Sequence, residues 1–269
     1  MDDQAPRVKS VRDLRHLSEV FSWEDDENGN PVFLYSSFGF ISDDQYVYFG
    51  QSKLRKYDLT VEILNESLKL IPDEEVYPQA PSHITTAPTP LDSNVFVKGP
   101  TLTGCIPFST GLLAKLLLQE AEILELLMRH PHPNIVRYHG CLIERGRIIG
   151  LVLDRYPSTL KQRLQSDVRD FNIEDCMSSI TAALDHLHSL RLGYNDLKPD
   201  NIMVDEDRVI IVDMGSCQPF GHSLITAGTP GWIEEEFTVS AQRNDEIALG
   251  RFRTWLEEQL SNSLKRTDV

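Results

Sequence analysis

Three side chains in the run YNDLKPDNIMVD (194–205) have the types and spacing that phosphoryl chemistry needs. Asp196, Lys198 and Asn201 fall within six residues, so one short loop can aim a carboxylate, a cation and a carboxamide at one point. The carboxylate can orient a hydroxyl and take its proton, the cation can offset charge on a moving phosphoryl group, and the amide oxygen can hold a metal. Asp, Pro and Asn are also ordinary turn formers, so this loop by itself leaves a purely structural role open. Twelve residues after Asn201 stands VIIVDMGSC, in which Asp213 directly follows an apolar run and Gly215 comes two residues later. A carboxylate at a strand end, followed by a pliable turn, presents oxygen to a hard cation beside a nucleotide's phosphates. Asp213 alone could simply end a strand. Both segments in this order and spacing are much harder to explain as turns.

These residues need a helix before them and strands around them. The segment IEDCMSSITAALDHLHSL (173–190) places Ile173, Met177, Ile180, Leu184 and Leu187 at helical spacing, with Asn172 as its N-cap. NIMV and VIIV read as two short strands. A final helix is expected from about Asn244 to Leu260. Upstream, LLAKLLLQEAEILELLMR (112–129) is a strong helix, VFV (95–97) a strand, and IVRYHGCLI and RIIGLVLD two more. VFLYSSF and QYVYFG, separated by SDD, read as a hairpin. LTVEILNESLKLI (59–71) fits a strand or a short helix, and periodicity does not choose. Residues 1–30 read as a charged, turn-rich, solvated stretch. Residues 72–94 hold five prolines and read as a connector or an irregular edge.

The 269 residues are 41% hydrophobic, enough to bury a substantial core in one or two domains. The 26 basic and 41 acidic side chains give a net charge of -15. Such a surface repels phosphate backbones and anionic membrane, so neither nucleic acid nor membrane is an expected partner. Four scattered cysteines, without a Cys-x-x-Cys pair, suit reduced thiols and neither a disulfide scaffold nor a metal site. The N-terminus carries no apolar signal segment, and no run approaches membrane-spanning length, so an intracellular place, cytoplasm or nucleus, is expected.

Several of these motifs resemble the protein kinase family. DLKPDN is similar to its catalytic loop in the serine/threonine form, and DMG stands where the family usually has Asp-Phe-Gly. GTPGWIEEEF (228–237) resembles the end of the activation segment, with Glu236 where the Ala-Pro-Glu motif closes. DEIALG (245–250) resembles the following helix, whose Asp245 is expected to tie down the catalytic loop backbone. HPHPNIVRYHG (130–140) is similar to the entry to the family's fourth strand. The resemblance covers roughly residues 95–260. It implies Asp196 as base, Lys198 as phosphate-neutralising cation, and Asn201 with Asp213 as magnesium ligands. It also places Glu120 opposite an ATP-binding lysine, for which VFVK offers Lys98. Lys115 is the rival, but it lies on the same expected helix as Glu120 and cannot face it from a strand. GLVLDRYPSTLKQRL (150–164) is similar to the hinge between lobes. By that likeness Leu153 borders the inner pocket, the backbone of Asp154 and Tyr156 meets the adenine edge, and Met203 lies under the ring.

Four departures stand against the family pattern. No G-x-G-x-x-G lid precedes Lys98; GFISDDQYVYFG (39–50) is a substitute lying almost fifty residues too early. The arginine usually found before the catalytic aspartate is Asn195, so a phosphorylated activation loop lacks its basic partner. Glu234 and Glu235 replace the Ala-Pro of Ala-Pro-Glu. The helices that usually complete the large lobe are missing after the Asp245 helix.

The expectation is an α+β, two-lobed kinase-like fold. Residues 1–90 form a partly β N-terminal extension that contributes to the small lobe, 91–153 the small lobe, and 154–269 a shortened large lobe. The expected function is ATP- and magnesium-dependent phosphorylation of serine or threonine on a protein substrate. Its rival is a pseudokinase, a nucleotide-binding or protein-interaction module. A small-molecule kinase suits DLKPDN less well, and GTPGW speaks against it.

Overall fold

The computed structural model describes residues 8–102, 110–166, 171–206, 208–225, 228–229, 231–233 and 237–267. These fall into two compact units. One draws on the ranges 1–81, 99–118 and 143–150, the other on 82–98, 119–142 and 151–269. Helices and antiparallel sheets together make an α+β architecture, as expected.

The first unit is built around an antiparallel sheet ordered β1-β2-β3-β4: β1 (His16–Asp25), β2 (Pro31–Ile41), β3 (Val47–Ser52) and β4 (Lys69–Leu70). One expectation changes here and one open reading is settled. Residues 16–25 form a ten-residue strand paired to β2, not a solvated turn-rich stretch. Its Glu19 is satisfied from beyond the next two strands: it accepts the Lys56 N–H at 3.0 Å and pairs with Arg55 at 3.0 Å. Arg55 in turn stacks on Phe21 and Phe33, a cross-strand aromatic pair. Within 59–71, helix α1 (Val61–Ser67) forms because the Thr60 hydroxyl caps the Ile63 N–H at 3.4 Å. Its Leu64 packs with Val8, Phe38, Leu59 and Leu68 into the core of the unit. A single turn, α2 (Asp73–Val76), follows. The substitute lid of residues 39–50 lies in the β2–β3 hairpin. Its glycines are there for packing: a Cβ on Gly39 would sit 2.8 Å from Leu102 Cδ1, and one on Gly50 2.8 Å from the Ser67 carbonyl oxygen.

The remaining elements carry the motifs. Strand β5 (Val95–Lys98) is followed by α3 (Leu112–Arg129), β6 (Tyr138–Glu144) and β7 (Arg147–Asp154), with sheet order β5-β7-β6. The proline-rich stretch serves as the edge of this sheet. Thr86 bridges to Cys141, with the Cys141 N–H donating to the Thr85 carbonyl at 2.8 Å and the Ala87 N–H to the Cys141 carbonyl at 2.9 Å. Glu125, buried on α3, fixes that edge by accepting the Thr85 N–H at 2.8 Å and the Tyr138 hydroxyl at 3.0 Å.

Next come β8 (Ser158–Thr159), α4 (Leu160–Ser166) and α5 (Ile173–Ser189). Asn172 caps α5 as expected, accepting the Glu174 N–H at 2.9 Å. Cys176, Met177, Ile180, Ala183, Leu184 and Leu187 are its buried stripe. Strand β9 (Leu192–Gly193) leads to the hairpin of β10 (Ile202–Asp205) and β11 (Arg208–Ile211); β12 (Gln218–Pro219) then pairs back to β9. The last helix, α6, runs from Gln242 to Thr267 and so outlasts the expected end at Leu260, because SNSLKRT contains no Gly or Pro to stop it.

Candidate active site

The β10–β11 hairpin brings together two residues twelve apart in sequence. Ile202 is paired with Ile211, and one step outward the Val212 N–H donates to the Asn201 carbonyl at 3.0 Å. Asn201 and Asp213 therefore flank the same open end of the hairpin. The Tyr194 hydroxyl, donating to the Val212 carbonyl at 2.6 Å, fixes this end from the loop side. Tyr194 is fully buried, which lifts its phenol well above the ordinary range and keeps it a donor.

Asp213 sits at φ +63°, a left-handed conformation uncommon for a non-glycine residue. One carboxylate oxygen accepts its own Gly215 N–H at 3.1 Å and the Lys98 ammonium at 2.8 Å. Lys98 also donates to both oxygens of Glu120, at 2.7 and 2.8 Å. Glu120 closes the arrangement by accepting the Met214 N–H at 3.1 Å. Residues 98, 120 and 213 thus meet as one charged triad, and Lys98, not Lys115, is the lysine that faces Glu120. Burial opposes the charge of Lys98, but the two carboxylates more than compensate and hold its pKa above the usual lysine range. Burial likewise pushes the Asp213 carboxyl up, and the Lys98 cation and the Gly215 N–H outweigh it, leaving the group below its ordinary value. For Glu120, fully enclosed, burial wins and the pKa is raised.

The second cluster is the loop around Asp196. Its Oδ2 accepts the Lys198 ammonium at 2.7 Å and the Asn201 amide at 3.0 Å, while Oδ1 accepts the Thr229 hydroxyl at 2.8 Å. Lys198 also donates to the Thr229 hydroxyl oxygen at 2.7 Å. With its amide nitrogen turned to Asp196, Asn201 keeps its side-chain oxygen as the atom suited to a hard cation. Thr229 is a site residue that the sequence did not single out; only its place in GTPGW pointed to it.

Beneath the loop, Asp245 of α6 has no exposed surface. It accepts the Tyr194 and Asn195 N–H groups at 2.9 and 2.7 Å and pairs with His188 at 2.8 Å. Two successive backbone amides held by one carboxylate in the first turn of a helix fix the direction in which Asp196 leaves the backbone.

The hinge residues are brought together more loosely. Leu153 is buried opposite Phe96, and Asp154 ends β7 with its side chain 2.6 Å from His139 and its N–H donating to the Arg137 carbonyl at 3.0 Å. Tyr156 follows in the adjoining turn, its phenol pushed up by burial and then by the Asp154 charge. Met203, half-buried on β10, is paired with Ile210 on one side and Thr159 on the other. Glu234, Glu235, Glu236 and Thr226 lie outside the described residues.

The family model for the protein kinase domain matches residues 110–247, a little more than half of the chain. This chain belongs to the protein kinase family. Serine/threonine-protein kinase PknG of Mycolicibacterium smegmatis is 28% identical over 168 residues, covering 60% of this chain and 22% of that kinase. Serine/threonine-protein kinase/endoribonuclease IRE1 of Hypocrea jecorina is 28% identical over 139 residues, 44% of this chain and 11% of the relative. This kinase chain therefore spans only about a tenth to a fifth of the length of those relatives. A solved granulovirus kinase, PK-1 of Cydia pomonella granulovirus, overlays on it with a TM-score of 0.39 and 21% identity, covering 48% of this chain and 50% of its own. Among the described residues of the kinase chain, no helix is long and apolar enough to cross a membrane.

Proposed function

We propose that this kinase domain transfers the terminal phosphoryl group of ATP to a serine or threonine hydroxyl of a protein, with magnesium bound. The observation that carries this is the triad of Lys98 with Glu120 and Asp213, at 2.7 and 2.8 Å. It keeps a buried cation charged, and an oxygen ligand ionised, at the place where a triphosphate needs both. Magnesium, when bound, neutralises phosphate charge. Asp213 and the Asn201 amide oxygen are the ligands that would hold it, and a hard cation of this kind commonly takes only one or two protein oxygens beside phosphates and water.

In this proposal Asp196 Oδ1 gives up the Thr229 hydroxyl and accepts the proton of the incoming serine or threonine. That hydroxyl oxygen forms the new bond to phosphorus as the bond to the ADP oxygen breaks. Lys198, already 2.7 Å from Asp196, offsets charge on the group in transit. Asp154, Tyr156 and Met203 are proposed to frame the adenine. We read residues 1–90 as an extension contributing to the small lobe, 91–153 as the small lobe and 154–269 as the large lobe, with Asp154 closing β7 at the junction.

One observation favours the pseudokinase alternative. Gly39 and Gly50 are consumed by packing, which leaves no glycine-rich lid among the described residues before Lys98. Label transfer from ATP to a generic protein substrate, alongside ATP affinity with and without magnesium, separates the two. Magnesium-dependent transfer that is lost in Asp196→Asn supports the enzyme. Binding without transfer supports the module.

A further inference from the structure

Asn195 stands immediately before Asp196 and is 3% exposed. Its amide nitrogen is within hydrogen-bond distance of three acceptors: the Gly193 carbonyl at 2.7 Å, the Ser240 hydroxyl at 3.0 Å and the Ser216 carbonyl at 3.1 Å. Its amide oxygen accepts from the Asn244 side chain at 2.9 Å. Ser240 then donates to the Gln218 carbonyl at 2.9 Å, and Asn244 to the Val239 carbonyl at 2.9 Å. Four separate stretches of chain are joined through one buried carboxamide: the base-bearing loop, the segment just after Asp213, the strand-like run before α6, and the first turn of α6. The place is built for it. A Cβ on Gly193 would lie 2.7 Å from the Ser240 hydroxyl and about 3.1–3.2 Å from the Asn195 amide atoms, so the glycine leaves the room that the network fills. Asn195 itself has φ +64°, a conformation that asparagine tolerates better than most residues.

We infer that Asn195 is a positioning residue: it locks the segment Ser216–Gln218 to the base-bearing loop through neutral hydrogen bonds and so sets the direction in which Asp196 points. The inference rests on the proposed kinase function only for its effect on transfer; the lock itself is a property of the folded chain. A carboxamide both donates and accepts: its two N–H hydrogens are shared among two carbonyls and a hydroxyl while its oxygen takes a second amide, which a guanidinium, having no acceptor, cannot do. With no net charge in the link, its strength is insensitive to salt, whereas an exposed ion pair is screened.

Two substitutions test this. Asn195→Gly keeps the left-handed backbone and removes every side-chain bond. Asn195→Asp keeps the shape and one acceptor role but removes the donors. In both variants, hydrogen exchange at the amides of Ser216, Cys217 and Gln218 should accelerate by at least about tenfold, while exchange in the α5 amides stays as in wild type. Phosphoryl transfer should fall by at least about tenfold in kcat with KM for ATP changed less than about twofold, the pattern of a misplaced base. Asn195→Gly combined with Ser240→Ala should cost less than the sum of the two single changes, since they share the Asn195–Ser240 bond and differ by the Ser240–Gln218 bond. Unchanged exchange at 216–218 in Asn195→Gly overturns the lock. If exchange accelerates as stated while wild type and variants alike transfer nothing, the lock stands and the kinase function fails.

Discussion

Two polar assemblies meet at the start of the activation segment, and they are made from opposite materials. Around Lys98 the groups are ionic: one ammonium and two carboxylates, with Asp213 still partly open to solvent. Around Asn195 the linking groups are neutral amides, hydroxyls and carbonyls, all shut away, with the charge of Asp245 spent on backbone N–H groups. The ionic assembly has charge to spare for a ligand, because each member can exchange part of its pairing for a phosphate or a cation. The neutral one has nothing to offer a ligand and holds geometry. Placing both within a few residues of Asp196 and Asp213 separates binding from alignment, and variants should separate them too.

The largest effect is expected at the proposed base. Asp196→Asn keeps the shape and should leave folding and ATP affinity intact, while transfer drops about a thousandfold, or ~4 kcal/mol. Unaltered transfer would remove the proposed mechanism. Next is Lys98→Met, which strands Glu120, 5% exposed, without its cation. A lost partner of this kind costs about 3 kcal/mol, less whatever Glu120 regains by protonating, so a lowered Tm and loss of ATP binding should appear together. An unchanged Tm would show that the triad does not contribute to stability. Asp213→Asn should weaken ATP binding at least about tenfold (~1.4 kcal/mol) when magnesium is present, and little when EDTA has removed it. Equal losses under both conditions would reduce Asp213 to a structural group.

In the neutral assembly the same kind of truncation should act on stability and not on affinity. Ser240→Ala leaves the Gln218 carbonyl short of a donor, at a cost of about 1 kcal/mol in chemical denaturation with ATP affinity retained. A larger loss of affinity than of stability would erase the distinction drawn here. The smallest effect belongs to Ser223→Asp. The residue is exposed and its neighbour across the bridge is Val239, so stability should move by less than about 0.5 kcal/mol and activity hardly at all. Several-fold activation would point to a cation supplied from elsewhere in the fold.

The ionic assembly could be read in the sequence and the neutral one could not. Asp196, Lys198, Asn201 and Asp213 stand out by type and spacing in a short loop and at a strand end, whereas Lys98 and Glu120 could be named only from the resemblance to the kinase family. Asn195 was visible only as a missing charge, since nothing in a chain tells which hydroxyl or glycine an amide will meet forty-five residues away. Thr229 hid for the same reason, as a hydroxyl in a turn. Among the elements, α3 and α5 were plain from periodicity over many turns. Strand β1 was not, because its Glu19 is satisfied by Arg55 and the Lys56 N–H on the far side of a hairpin, a pairing invisible to a local pattern. Helix α1 was undecided although Thr60 was the informative residue, a cap of the sort that settles short helices.

The pairing of Thr85–Ala87 along Cys141 bears on how this chain can be cut. A fragment opening just before the VFVK strand would keep every motif used to recognise the family. It would also strip the cover from one side of β6, baring the Cys141 N–H and carbonyl, and would take away the Thr85 groups that occupy the Glu125 carboxylate. A bared, largely apolar strand edge beside a buried acid is a template for self-association. The shortest portable piece of this protein therefore begins ahead of Thr85, and the motif map is a poor guide to where a soluble fragment starts.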